Sequence, residues 1–299
     1  MTKNETIKNY LKLHFIIFIW GFTGVLGKLI DSIDGSTLAC WRMGIAFVGL
    51  MAFMAFRKIS FAVDLKSLLK FMGIGLLIAA HWATFFIAIK VSNVSVALVC
   101  MSSSALFMSF IEPIIFKKKI VPYEIIFGLI VIAALFMIFK IESQYALGIG
   151  LALISAFLAA LFTALNAIYI KTHNATKITT YEMLSGFVGL ILFPVLFGDF
   201  SPANIIPEGN DWIYLLILAL ICTAYAFVVS VDIMKVVSPF TMAISVNLEP
   251  IYAIIMALFL FGEEEHMSTG FYFGGMILIL TILANGLMKN RSNKKLKAA

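Results

Sequence analysis

Long apolar stretches, each closed by a few polar residues, follow one another from the start of this chain to about residue 288. Ten of them are of a length to cross a bilayer, near 12–30, 37–56, 68–89, 95–116, 123–140, 147–170, 181–198, 212–234, 239–261 and 268–288. A helix needs about 20 mainly apolar residues to span the hydrocarbon core. The runs are too long for barrel strands and show no in–out alternation, so the pattern predicts helices. Connections are short, and the longest polar one is "GDFSPANIIPEGND" at 198–211. The start, "MTKNETIKNYLKLHFIIFIWGF", has the charged head and apolar continuation of a secretory signal. It lacks a convincing small-x-small cleavage site and many similar segments follow, so it reads as a retained first span.

Composition turns that pattern into a class. Hydrophobic residues make up 62% of the 299 and charged residues 13%, whereas a soluble domain is about half apolar and a quarter charged. Lipid must therefore solvate most of the surface. The net charge of +6 could point to nucleic acid, but in a membrane chain basic residues record topology. With the N-terminus in the cytoplasm, eighteen lysines and arginines fall inside, against Lys28, Lys90 and Lys140 outside. Both termini are then cytoplasmic, and residues 289–299 form an unstructured basic tail. Cys40, Cys100 and Cys222 lie within apolar runs, without metal spacing or a disulfide framework.

Ten spans invite a test for duplication. "KVSNVSVALVCMSSSALFMSF" from Lys90 lies without a gap on "KVVSPFTMAISVNLEPIYAII" from Lys235, an offset of 145. The same offset sets "FKKK" at 116–119 on "FGEE" at 261–264, and Ser104-Ala105 on Glu249-Pro250. Five spans per copy is an odd number, so the second copy enters the membrane from the opposite side. The opposite charges at the end of the two copies then record topology, with lysines held inside and glutamates harmless outside. The predicted organisation is a cytoplasmic segment 1–11, a first repeat 12–140, a second repeat 141–288 and the tail. The fold class is an all-α polytopic membrane protein of ten helices in two inverted five-helix repeats. Such repeats are a recurring architecture of secondary transporters, with the substrate site near the midplane.

This arrangement resembles the drug/metabolite transporter superfamily, specifically EamA-type transporters, over about 12–288. The resemblance rests on Trp20-Gly21, "WRMGIAF" at 41–47, "AIKVSNVSVAL" at 88–98, the small stretch 102–105, and Pro250 with "IYAIIMALFLFGE". The family pattern has proline in span four, where this chain has Ala105. The resemblance implies a gradient-driven carrier that commonly exports amino acids or other small metabolites. It also implies a central cavity lined by helices one, three, four, six, eight and nine.

Ionisable groups within a span cost several kcal/mol unless paired or hydrated, so each is a site candidate. Glu249 stands mid-span before Pro250, where a kink and freed carbonyls are expected, and suits proton coupling or an amine. His81 and Trp82 form ridges with Phe85 and Phe86 at i, i+4, offering a switchable charge and an aromatic wall. Asn247, Tyr225, Ser103, Trp20 and Asn166 complete the expected substrate-binding set, with Glu249 and His81 assigned to proton coupling. Asp232 is expected to pair locally with Lys235. Arg42 is expected to snorkel to the outer interface, and His14 and Glu112 to reach the inner one.

The expected function is a secondary transporter in the inner (plasma) membrane, working by alternating access on a small metabolite and exporting it against a proton or metabolite gradient. An uncoupled exchanger and a lipid-related flippase are the alternatives. No HExxH, paired aspartates or Cys/His spacing suggests an enzyme. No cofactor and no metal are expected. The partners are a small-molecule substrate and the bilayer, not nucleic acid, with the chain as monomer or homodimer.

Overall fold

A computed structural model describes residues 3–117, 122–197 and 205–298, and these are helical, with no strand among them. We number ten helical units: α1 Lys3–Leu29, α2 Gly35–Phe56, α3 Leu65–Val91, α4 in two halves (Val94–Met101 and Ser104–Phe116) and α5 Pro122–Ile141. The second set is α6 Ala146–Tyr169, α7 Ala175–Phe197, α8 in three segments (Asp211–Leu216, Ile217–Tyr225, Ala226–Ile233), α9 in two halves (Pro239–Val246 and Glu249–Phe261) and α10 Thr269–Ala298. Eight helices among the described residues are long and apolar enough to cross a membrane, and two shorter apolar stretches lie at Ile126–Ile138 and Thr269–Thr281. Large side chains stand outward on the lipid-facing rim, with Phe259 at 89% and Phe56 at 82% exposure.

The duplication is visible in the breaks of two helices. The halves of α4 and of α9 begin and end 145 residues apart at every boundary. Their N-caps, Asn93 and Ser238, keep the same offset, accepting from Val96 N at 2.8 Å and Thr241 N at 3.2 Å. Pro250 opens the second half of α9, where a missing donor costs nothing in the first turn. Its counterpart Ala105 has no such constraint, yet α4 breaks at the same place. There Ser103 Oγ donates to Cys100 O at 2.7 Å, and Ser103 N reaches the same carbonyl at 3.0 Å.

Three expectations change. The seventh helix starts at Ala175, six residues before its apolar run, because Asn174 caps it and its first turns are polar. The tail expected to be unstructured continues α10 as far as Ala298; its Lys, Arg, Leu and Ala content favours helix. The acidic end of α9 is not inert. Glu265 is fully buried and accepts from Val94 N (3.1 Å), Ser95 N (2.9 Å), Ser95 Oγ (2.8 Å) and Lys28 Nζ (3.0 Å). It thereby joins α1, α4 and α9 at the helix N-terminus that favours an anion. Of the matching "FKKK", Lys118 and Lys119 lie outside the described residues, as does 198–204 of the polar loop.

Candidate functional site

A cavity lies at the centre of the helix bundle, with about 110 Å³ open to the centres of water-sized spheres. One such sphere needs on the order of 10–15 Å³, so a small metabolite fits. The walls come from α1, α2, α3, α4, α6, α8 and α9. The cavity thus draws on α2 in addition to the six helices expected, and the residue responsible is Arg42.

Arg42 does not snorkel. At 2% exposure, its Nε donates to Thr223 Oγ1 at 2.6 Å and its guanidinium carbon sits 3.9 Å from the Trp82 ring centroid. Nη1 is buried with no hydrogen-bond partner. The middle segment of α8 explains why this cation can be held so deep. Ile217–Tyr225 winds as a π-helix, a rare form frequently found at functional sites. Its looser turn presents Thr223 to Arg42 and leaves Cys222 O to accept from Trp20 Nε1 at 3.0 Å. Nothing in the hydropathy of "ILALICTAY" marks this winding.

Opposite charge comes from Glu249, at the start of the second half of α9, which lines the same cavity and lies within the electrostatic reach of Arg42. Ser104, its counterpart in the first repeat, also lines the cavity. The break in each half-helix therefore places one polar side chain at the centre.

An aromatic wall closes the site on the α3 side. His81 stacks on Phe85 (centroids 6.3 Å, 20°) and lies 5.3 Å from Phe162, while Trp82 and Phe162 each meet Phe227 edge-on or tilted at 5.8 Å. Ser155 fixes the histidine: its hydroxyl donates to His81 O at 2.9 Å, and His81 Nδ1 lies 2.9 Å from Ser155 O. That geometry puts the ring proton on Nδ1 and leaves Nε2 as an acceptor.

The expected residues therefore divide. Glu249, His81, Trp82, Phe85, Trp20 and Asn166 all line the cavity. Ser103 is fully buried against Cys100 O, beside the lining Ser104. Asn247 is buried in the turn between the halves of α9, and Tyr225 is 49% exposed on the π segment, away from the cavity. Tyr225 closes the π-helical segment of α8, whose looser winding shifts its side chain from where a regular helix would put it. Glu112 is buried within α4 and His14 is exposed. Asp232 and Lys235 do pair, at 2.6 Å. Arg42 lies in the cavity wall and not at the interface that its place near the start of the second apolar run suggests, and Glu182, for which the sequence offers no site signal, is fully buried.

The EamA-like transporter family model matches residues 10–140 and again 146–286. The chain belongs to that family. Its two matched copies account for the duplicated breaks of α4 and α9, and the protein is a multi-pass membrane transporter. An uncharacterized transporter of Archaeoglobus fulgidus is 25% identical over 282 residues, covering 91% of this chain and 95% of the relative. A solved crystal structure superposes with a TM-score of 0.69 at 14% identity, over 95% of this chain and 98% of that one. At that identity the likeness speaks for the EamA-like fold alone.

Proposed function

We propose that this transporter carries a small zwitterionic metabolite of amino-acid type by alternating access, exporting it from the cytoplasm in exchange for protons. The observation that supports this reading is one cavity holding a buried arginine with a free Nη1 and a glutamate across from it. A carboxylate would bond Arg42, held over Trp82, and an amine would bond Glu249, the latter exchanging its amine for a proton. Trp82, Phe85 and Phe162 would receive the side chain, and His81, Trp20 and Asn166 would border it. A charge-assisted hydrogen bond contributes roughly 1.5–3 kcal/mol, so each end should discriminate by about 10- to 150-fold.

The ten-span arrangement follows if the Ile126–Ile138 and Thr269–Thr281 stretches also cross, as the 20-residue length of α5 supports. The excess of lysine and arginine on one set of loops supports both termini in the cytoplasm of a plasma-membrane protein. The cavity lining runs to Met234, at the end of α8, whereas the loops at 31–34 and 262–268 contribute none of it. On this reading, that asymmetry supports a state closed to the outside.

Thermal stabilisation of purified protein tests the ligand class, because ligand bound to the folded state raises the unfolding midpoint. A panel of amino acids, with the N-acetyl and carboxamide derivatives of each hit, separates the two ends. Arg42→Gln should abolish the preference for a free carboxylate, and Glu249→Gln the preference for a free amine together with the pH dependence of transport in proteoliposomes. Stabilisation indifferent to both variants would end the zwitterion reading.

A further inference from the structure

The cavity does not use every buried ionisable group. Glu182 stands about two turns into α7 and is fully buried, and neither carboxyl oxygen has a hydrogen-bond partner. The polar group facing it is the side chain of Asn166 on α6, whose own Oδ1 and Nδ2 are without hydrogen-bond partners. Thr179, three residues before Glu182 and so on the same helix face, is fully buried with its Oγ1 unpartnered. Four oxygens on three side chains thus stand unpartnered at this level of the bundle, and the donors they carry, the Asn166 amide and the Thr179 hydroxyl, bond to none of them. Most buried polar groups are satisfied, so such a cluster calls for a ligand.

The packing here is tight by construction. A Cβ on Gly75 of α3 would stand 2.2 Å from Glu182 O and 2.7 Å from Glu182 Cα. The backbones of α3 and α7 can meet at this level only because residue 75 is glycine, and their contact seals the carboxyl from lipid.

Charged groups on every element packed against α7 are occupied elsewhere. On α2, Arg42 binds Thr223 and Trp82. On α3, His81 is held by Ser155, Lys70 lies over Tyr169, Lys90 donates to Ile30 O, and Lys66 is exposed. On the last segment of α8, Asp232 pairs with Lys235, and on α7 itself Lys177 donates to Ala62 O. Cys40 on α2 is partly buried and carries no charge as a thiol. An ionised Glu182 would be a bare charge in a dry interior, which costs several kcal/mol.

We infer that Glu182, Asn166 and Thr179 form a second cation site, for a proton or an alkali ion, which Asn166 joins to the substrate cavity. One carboxylate balances a single positive charge, and oxygen donors suit hard cations, so the site takes a monovalent ion. Asn166 lines the cavity on one side and faces Glu182 on the other. Its amide can turn its oxygen to a cation or its nitrogen to a carboxylate, so the state of Glu182 is felt by a substrate in the cavity. This inference rests on the carrier reading for its purpose, but not for its test.

The test is the unfolding midpoint of the purified full chain, without substrate, from pH 5 to pH 9 in choline chloride and in sodium chloride. The unfolded chain releases the Glu182 proton freely while the folded chain keeps it, so stability falls as pH rises and levels off where the folded state also lets go. The share of the slope expected from Glu182 is about 2–4 °C per pH unit, lost in Glu182→Gln whether residue 249 is Glu or Gln. If sodium raises the midpoint at high pH in the wild type but not in Glu182→Gln or Thr179→Val, the ion is sodium; no response to sodium assigns the site to the proton. Glu182→Asp and Asn166→Ala keep a carboxyl and guard against a Gln variant that does not fold: each should retain the slope with its plateau moved along the pH axis. A Glu182→Gln protein with the wild-type slope overturns the site, and an unmoved plateau in Asn166→Ala overturns the link to the cavity. Neither result bears on the zwitterion panel, which can succeed or fail alone.

Discussion

The two ends of the helix bundle are held by different chemistry. At the end formed by residues 31–34, 92–93, 142–145, 205–210 and 262–268, three carboxylates are nearly or fully buried: Glu265, Asp211 and Glu142. Each accepts from residues far away in the chain. Glu265 holds Lys28, Val94 and Ser95; Asp211 holds Ser32 N (3.0 Å) and Oγ (2.5 Å); Glu142 holds Ser268 N (3.3 Å) and Oγ (2.5 Å). At the other end, by 57–64, 170–174 and 234–238, the described bonds from α7 to the 57–64 loop are exposed: Lys177 Nζ to Ala62 O at 2.8 Å and Tyr181 OH to Phe61 O at 2.5 Å. Buried charge-assisted bonds are strong and geometrically strict, while exposed ones contribute little. One end is clasped and the other merely closed, and a carrier that alternates must undo the first at a larger cost than the second.

The largest effect should come from Glu265→Ala, which leaves the Val94 and Ser95 backbone donors and the Ser95 hydroxyl without their acceptor, while Lys28 keeps Glu264. Each buried donor left without an acceptor costs roughly 1–3 kcal/mol. Of all single changes at the clasped end, this one should lower the detergent unfolding midpoint most. It should also speed labelling of a cysteine placed at Thr23 by an impermeant thiol reagent added from the clasped side. Unchanged labelling with a lowered midpoint would mean that Glu265 stabilises the fold without controlling access.

That clasp also marks how far the sequence could be read. Span positions, the 145-residue register and the family likeness all follow from apolar run length and the order of small residues, which depend on local pattern. The register even carries the breaks of α4 and α9 to the residue. Glu265 was legible only as charge at a helix end, because its partners Lys28 and Ser95 lie 237 and 170 residues away. Arg42 was obscured for a similar reason: its burial depends on a π-helical turn in α8 and a tryptophan on α3, neither of which hydropathy reports. Glu182 falls at the second residue of the seventh apolar run, where a carboxyl reads as the polar end of a span; only the six residues that the helix adds before that run put it two turns inside.

A smaller effect belongs to the Ser32–Asp211 clasp. Asp211→Ala removes a charged acceptor from two donors of Ser32, one of which also contacts the chain at Glu208 N. The expected loss is about 1.5–3 kcal/mol. Double-mutant cycles with Glu265→Ala should be additive within about 0.5 kcal/mol if the clasps act independently. A coupling above that would show that they release together, as one gate.

The smallest effect lies at the unclasped end and is the sharpest check on the comparison. Lys177→Ala removes a solvent-exposed bond to Ala62 O, and Tyr181→Phe removes the neighbouring bond to Phe61 O. Each should change stability by no more than roughly 0.5 kcal/mol. Their influence should instead appear in rate, since contacts made in only one state of a carrier set the barrier for leaving it. In proteoliposomes the exchange rate of both variants should equal or exceed that of the wild type, with substrate affinity unchanged because neither residue borders the cavity. A loss of stability comparable to that of Asp211→Ala would erase the distinction between the ends. It would place a second clasp where the described bonds from α7 to the 57–64 loop are exposed.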